Sequence, residues 1–248
     1  MNLSIKTVTS DAFSLLKKDP LIVAPYLIFF SAVTIFETLP LSGIKSSSLY
    51  FIAKLIIFGW VADLLFKGFT LHLGFQLYQK KEIPPVENIR TFAKKLPAMM
   101  VGTGMLIFPI FGLLKWWEIN ANAVQSPTPD LGILALLFLT FIPLIFLSLL
   151  LNFVPSIVIT TSSNGWTAIK RSFYLLRYSF KQVLWLTSFI ILIALVSISI
   201  ISPVLLEVPV IGKSILWVGF QAAMTTFIDL LCLVFYCKAS EPKITAVA

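Results

Sequence analysis

The sequence predicts an all-α fold, a polytopic membrane helix bundle with six transmembrane helices, on three observations. Of the 248 residues, 58% are hydrophobic and only 12% are charged, whereas a soluble domain carries roughly 25% charged residues. Apolar runs near the roughly 20 residues that a membrane helix needs recur along the whole chain, leaving no room for a separate soluble domain. The basic residues of the connections fall almost entirely on alternate connections. The mean hydropathy of +0.95 agrees.

The spans follow in order. The first runs over about 20–38, through LIVAPYLIFFSAVTIF. The first eighteen residues before it are mixed polar, without the apolar centre and small-residue cleavage site of a signal peptide, so this span is expected to stay as an anchor. The second, about 48–78, is long and carries Lys54, Asp63, Lys67 and His72. The third covers about 96–117, the fourth 131–159, the fifth 183–206 and the sixth 211–236. The fourth and fifth hold no charge at all. Pro25, Pro109, Pro143 and Pro203 fall inside spans and imply kinks, which membrane helices tolerate.

Orientation follows from the Lys and Arg count in the connections. Six crossings place Lys6, Lys17, Lys18, Lys80, Lys81, Arg90, Lys94, Lys95, Lys170, Arg171, Arg177, Lys181, Lys238 and Lys243 on one side. The other side receives only Lys45, Lys115 and Lys213. The basic side is therefore expected in the cytoplasm of a cell-membrane protein, with both termini there. Tyr50, Trp116, Trp117 and Trp217 near outer ends, and Tyr78, Trp185 and Tyr236 near inner ends, fit aromatic belts. The net charge of +8 then faces the anionic headgroups of membrane lipids. Nucleic acid is not an expected partner, because the charges are spread over four short segments with no binding motif.

Three basic amphipathic segments stand ahead of the first, third and fifth spans. In the third of them Trp166, Ile169, Phe173, Leu176 and Phe180 recur at helical spacing, with Thr167, Lys170, Arg171 and Arg177 to the other side. Such helices lie in the membrane interface. The second follows Pro84 and Pro85, with Val86, Ile89, Ala93 and Leu96 against Glu87, Arg90, Lys94 and Lys95. The first sets Ala12, Phe13 and Leu16 against Lys17 and Lys18, capped by Ser10 or Asp11. The pattern of surface helix, span in, span out, read three times, suggests a degenerate threefold repeat.

The stretch 153–186, FVPSIVITTSSNGWTAIKRSFYLLRYSFKQVLWL, resembles a group of prokaryotic six-helix membrane proteins related to the membrane domain of some glycerophosphoryl diester phosphodiesterases. In that group the end of helix four is followed by a small-residue turn and a basic helix of the form A-L-x-R-S-x-x-L-x-x-x-x-F. The matching positions are Pro155, Gly165, Ala168, Arg171, Ser172, Leu175 and Phe180. Pro143 resembles the group's Ile-Pro-Gly turn, with Leu144 in place of the glycine. The resemblance covers the C-terminal half. It implies fold and location, and brings no catalytic site, since the phosphodiesterase activity of fused members belongs to a separate soluble domain.

Ionisable residues inside spans mark candidate sites. Here they are Asp63, Lys67 and His72 on the second span and Asp229 on the sixth, with Lys54 near an outer end where it can snorkel. At about 1.5 Å rise per residue, Asp229 lies roughly 10 Å below the inner interface, His72 about 9 Å and Lys67 about 16 Å. The second and sixth spans run in the same direction, so Asp229 can meet either. Asp63 and Lys67, at i and i+4, can pair along one face.

No nucleophile with its base, carboxylate pair, metal set or phosphate loop is visible. The lone His72 excludes a multi-histidine metal site, and Cys232 and Cys237 are spaced for neither a redox nor a zinc motif. No cofactor and no enzymatic activity are expected. The sequence favours a non-catalytic membrane component that binds lipid, a protein partner or a second copy of itself. The alternative is a transporter or channel with a charged site between the second and sixth helices.

Overall fold

The computed structural model describes residues 4–38, 49–81, 84–124, 131–206 and 210–244. Among these, every regular element is helical: α1 Ile5–Lys18, α2 Ala24–Thr38, α3 Leu49–Tyr78, α4 Pro85–Val124, α5 Leu131–Thr161, α6 Gly165–Tyr178, α7 Phe180–Leu206 and α8 Val210–Ile244. A 3₁₀ turn, Pro20–Val23, joins α1 to α2. Lys45 lies outside the described residues, as do the side chains of Tyr50, Lys54, Trp117, Pro203, Lys213 and Lys243.

Local chemistry sets the boundaries. The Asp19 carboxylate accepts the Leu21 N–H at 3.0 Å, and Pro20 opens the turn into α2, where its missing N–H costs nothing. α3 closes with Lys80 in the left-handed region (φ 55°). There the Lys81 N–H returns to the Gln76 carbonyl at 3.0 Å and the Lys80 N–H to Leu77 at 3.1 Å, a paired C-terminal closure. Asn164 caps α6, its side chain accepting the Thr167 N–H at 2.8 Å.

Three stretches among the described residues are long and apolar enough to cross a membrane: Val86–Trp116, Ile142–Thr161 and Ile215–Ser240. A fourth arises if α6 and the start of α7, which meet at 97°, count as one broken span; Pro20–Thr34 is a shorter apolar helix. Three to four such helices are consistent with a multi-pass membrane protein. Accordingly, large apolar side chains such as Ile28, Val101, Phe108, Ile142, Leu195 and Ile215 stand exposed on the bundle, a surface that lipid rather than water would cover.

The core lies where α3, α4, α5 and α8 converge, around Leu71, Met99, Phe153, Ile157, Leu230 and Phe235. α1 packs on α8, and Lys238 Nζ of α8 meets Asp11 Oδ2 of α1 at 2.6 Å. Lys95 of α4 donates to the Ile159 carbonyl of α5. Arg171 of α6 and Thr160 of α5 both lie within interaction range of the Tyr236 hydroxyl of α8. These contacts bring the N-terminal helix, the C-terminal part of α8, the start of α4 and the end of α5 to one end of the bundle, the basic end.

Three expectations change. Neither Ser10 nor Asp11 caps the first basic helix: α1 starts a turn and more earlier, at Ile5, with Ser4 at its N-cap, and runs through both residues. The second basic segment is no separate helix: α4 runs unbroken through Pro97. Pro97 removes one backbone bond, a loss membrane helices accommodate, and no capping residue stands between Lys94 and Ala98 to stop the helix. Of the three segments, only α1 and α6 are separate helices. The buried face of α6 also differs from the apolar periodicity. It consists of Gly165, Ala168, Ser172 and Leu176, while Trp166 and Phe173 stay exposed beside Lys170 and Arg177. The small residues win because α6 turns back against α5. Ser172 Oγ donates to the Leu150 carbonyl at 3.1 Å, and the Phe173 ring meets Phe146 edge-on at 5.9 Å.

That return depends on glycine. A Cβ on Gly165 would lie 2.5 Å from Gly102 N and 2.6 Å from the Ala98 carbonyl oxygen, both backbone atoms of α4. A Cβ on Gly102 would meet Val154 Cγ1 at 2.8 Å and Gly165 Cα at 3.2 Å. The two helices thus touch through bare backbone, the use that small residues serve between membrane helices.

Candidate functional site

Four of the intramembrane candidates separate into two places. In the first, Lys67 Nζ of α3 lies 3.2 Å from Asp229 Oδ1 of α8. The other carboxylate oxygen, Oδ2, accepts a 2.5 Å hydrogen bond from the Tyr26 hydroxyl of α2. Asp63, one turn before Lys67 on α3, lies within electrostatic range of both Lys67 and Asp229. The Asp229 side chain is 4% exposed and that of Lys67 19%, while Tyr26 is wholly buried.

The expected i, i+4 partner of Lys67 therefore gives first place to Asp229. A carboxylate bound at both oxygens by an ammonium and a phenol is well satisfied, and such charge-assisted bonds are the strong ones. One chain of contacts ties α2, α3 and α8 together. Chemically it is a neutralised pair with a proton donor beside it. Cys232, one turn beyond Asp229 on α8, is also buried there as a free thiol.

His72 belongs to the second place. Its Nε2 lies 3.0 Å from Gln76 Nε2, and Gln76 in turn donates to Asn88 Oδ1 across the connection from α3 to α4. The ring stacks at a tilt on Phe92, 6.2 Å between centroids. Its Nδ1 is buried, with no hydrogen-bond partner among the described residues. Gln76 and Asn88 line an open cleft of about 550 Å³ together with Asp19, Leu73, Leu77, Lys81 and Pro84. Among the described residues, no three His, Cys, Asp or Glu side chains gather as a metal site.

The residues of the family-like motif have packing roles. Pro155 lies buried inside α5, Gly165 opens α6, and Ala168 and Ser172 are fully buried on it. Arg171 reaches back to Tyr236. Sequence reading missed Tyr26, Gln76 and Asn88. Tyr26 carries the one phenol of an apolar run, and Gln76 follows His72 at i+4, so both gave a signal. The pairing of Tyr26 with Asp229 across the length of the chain gave none. No family model, curated protein or solved structure matches the chain.

Proposed function

We propose that this chain is a six-span protein of the cell membrane, with both termini in the cytoplasm, that acts without catalysis by binding phospholipid at its basic end. In this reading α2, α3 and α7 complete the crossings begun by α4, α5 and α8, and α1 and α6 sit at the membrane boundary. The count of basic residues, fourteen against three on alternate connections, sets the orientation. The resemblance of 153–186 to six-helix prokaryotic membrane proteins supports the same architecture.

The observation that carries the function is the outer face of the α6–α7 elbow. Trp166, Tyr178 and Trp185 are 54%, 69% and 60% exposed. Lys170 Nζ sits over the Trp166 ring at 5.3 Å and the Arg177 guanidinium over Tyr178 at 6.0 Å, with Tyr174 stacked on Tyr178 at 6.2 Å. Rings that prefer the headgroup level, interleaved with cations, suit an anionic lipid surface.

The test is fluorescence quenching by brominated lipid in reconstituted vesicles. The Trp166 signal, taken as the difference between wild type and Trp166→Phe, should be quenched more by brominated phosphatidylglycerol than by brominated phosphatidylcholine. The triple change Lys170→Gln, Arg177→Gln, Lys181→Gln should remove the preference. Equal quenching by both lipids in wild type contradicts the reading.

The buried Lys67–Asp229–Tyr26 contact favours a second reading, a transporter or channel whose pathway passes between α3 and α8. Charges within spans line ion and proton pathways in such proteins. Its discriminating observation is solute or ion flux that disappears in a folded Asp229→Asn variant; lost yield alone would leave the pair a packing element. An intramembrane enzyme has Asp229 as its only foothold.

A further inference from the structure

The cleft at the basic end sits where two chain connections meet. Asp19 comes from the α1–α2 junction, Gln76, Leu77 and Lys81 from the end of α3, and Pro84 and Asn88 from the start of α4. Its volume of about 550 Å³ falls in the range of small-molecule sites, about 300–1,000 Å³. Among the described residues its lining carries one carboxylate, Asp19, and one ammonium, Lys81. Two carboxamides, Gln76 and Asn88, are each 7% exposed and hold one another, with His72 behind Gln76. Leu73, Leu77 and Pro84 supply apolar wall.

We propose that this cleft holds the phosphoethanolamine headgroup of a membrane phospholipid. This rests on the membrane topology proposed above, which puts the cleft at headgroup level. The charges select the headgroup. A zwitterion places its phosphate by Lys81 and the amides, and its ammonium by Asp19. A purely anionic headgroup would leave Asp19 facing like charge. A choline has no N–H to give Asp19, and quaternary ammonium sites are built from aromatic rings, of which the lining has none among the described residues. The apolar wall meets the glycerol and the first methylenes of the acyl chains.

Asp19 offers a clean variant. Asp19→Asn removes the charge and keeps a side-chain oxygen for the Leu21 N–H, since Asn and Asp cap equally well. The experiment exposes the full-length protein to equimolar phosphatidylethanolamine, phosphatidylcholine and phosphatidylglycerol, then counts retained lipids by native mass spectrometry. Wild type should retain phosphatidylethanolamine at least fivefold over the other two. Asp19→Asn should bring its ratio to phosphatidylcholine near one, and Lys81→Gln should lower retention of both. The elbow triple variant should leave this ratio unchanged, which separates failure at the cleft from failure at the elbow.

Glycerophosphoethanolamine, with the same charges and no acyl chains, is the soluble arm. Its retention at the level of the lipid would make the occupant a solute and overturn the assignment. So would the absence of phosphatidylethanolamine enrichment in wild type, or enrichment unchanged by Asp19→Asn.

Discussion

Gly165→Ala is expected to destabilise the protein by about 3 kcal/mol, the upper end of what overpacking a well-packed site costs. The added methyl meets backbone on two sides, Gly102 N at 2.5 Å and the Ala98 carbonyl at 2.6 Å, and backbone has no rotamer in which to escape. Relief requires α6 to move off α4, which would also break Ser172 Oγ from the Leu150 carbonyl and swing the α6–α7 elbow. Neighbouring glycines grade the effect. Gly102→Ala should cost less, because Val154 can turn although Gly165 Cα stays at 3.2 Å. Gly104→Ala faces only the Trp60 ring at 3.3 Å and should be mild. Gly112→Ala, with nothing within 4 Å, should gain up to about 1 kcal/mol of helix propensity. Thermal unfolding of detergent-purified variants checks the order. A Gly165→Ala variant as stable as Gly112→Ala would contradict the close contact.

Asp229→Asn and Lys67→Met should each cost about 3–5 kcal/mol, the loss expected when one member of a buried ion pair is removed and the other is left uncompensated. The double change Lys67→Met with Asp229→Leu should recover most of that loss, because a well-packed apolar pair of similar volume is often neutral. Tyr26→Phe should cost about 1.5–3 kcal/mol, one hydrogen bond to a charged group. Unfolding midpoints of the four variants form the comparison. Single variants as stable as wild type would show that the pair does not hold α2, α3 and α8 together. A double variant no better than the singles would point to a charge kept for another reason, and to the flux assay.

Helix order was legible because each apolar run is bounded by polar or proline-containing segments. The start of α2 at Asp19–Pro20 and the cap of α6 at Asn164 follow from local chemistry alone. The face of α6 was not legible from hydrophobic spacing. A helix with Gly165, Ala168 and Ser172 on one side and Trp166 and Phe173 on another offers two faces. Only the approach of α4 and α5 decides that the small one is buried. The continuity of α4 through Pro97 was equally hidden, since a proline reads as a break unless neighbouring helices hold the chain. Of the site, Lys67 and Asp229 announce themselves as charges in apolar runs. Their mutual contact, and Tyr26 on the same carboxylate, depend on three helices meeting, which no local pattern encodes. The cleft is likewise a product of two connections that meet, and none of its residues stands out singly.

Side-specific cysteine labelling tests the membrane architecture on which the lipid reading depends. In a background of Cys232→Ala and Cys237→Ala, single cysteines replace Lys17, Lys80, Lys170, Lys45 and Lys115. Each is exposed to a membrane-impermeant maleimide in right-side-out and in inverted vesicles. The account predicts that positions 17, 80 and 170 react only in inverted vesicles, and that positions 45 and 115 react only in right-side-out ones. Position 45 or 115 reacting from the same side as position 80 would contradict six crossings. Positions 17 and 170 reacting from opposite sides would dismantle the basic cytoplasmic end.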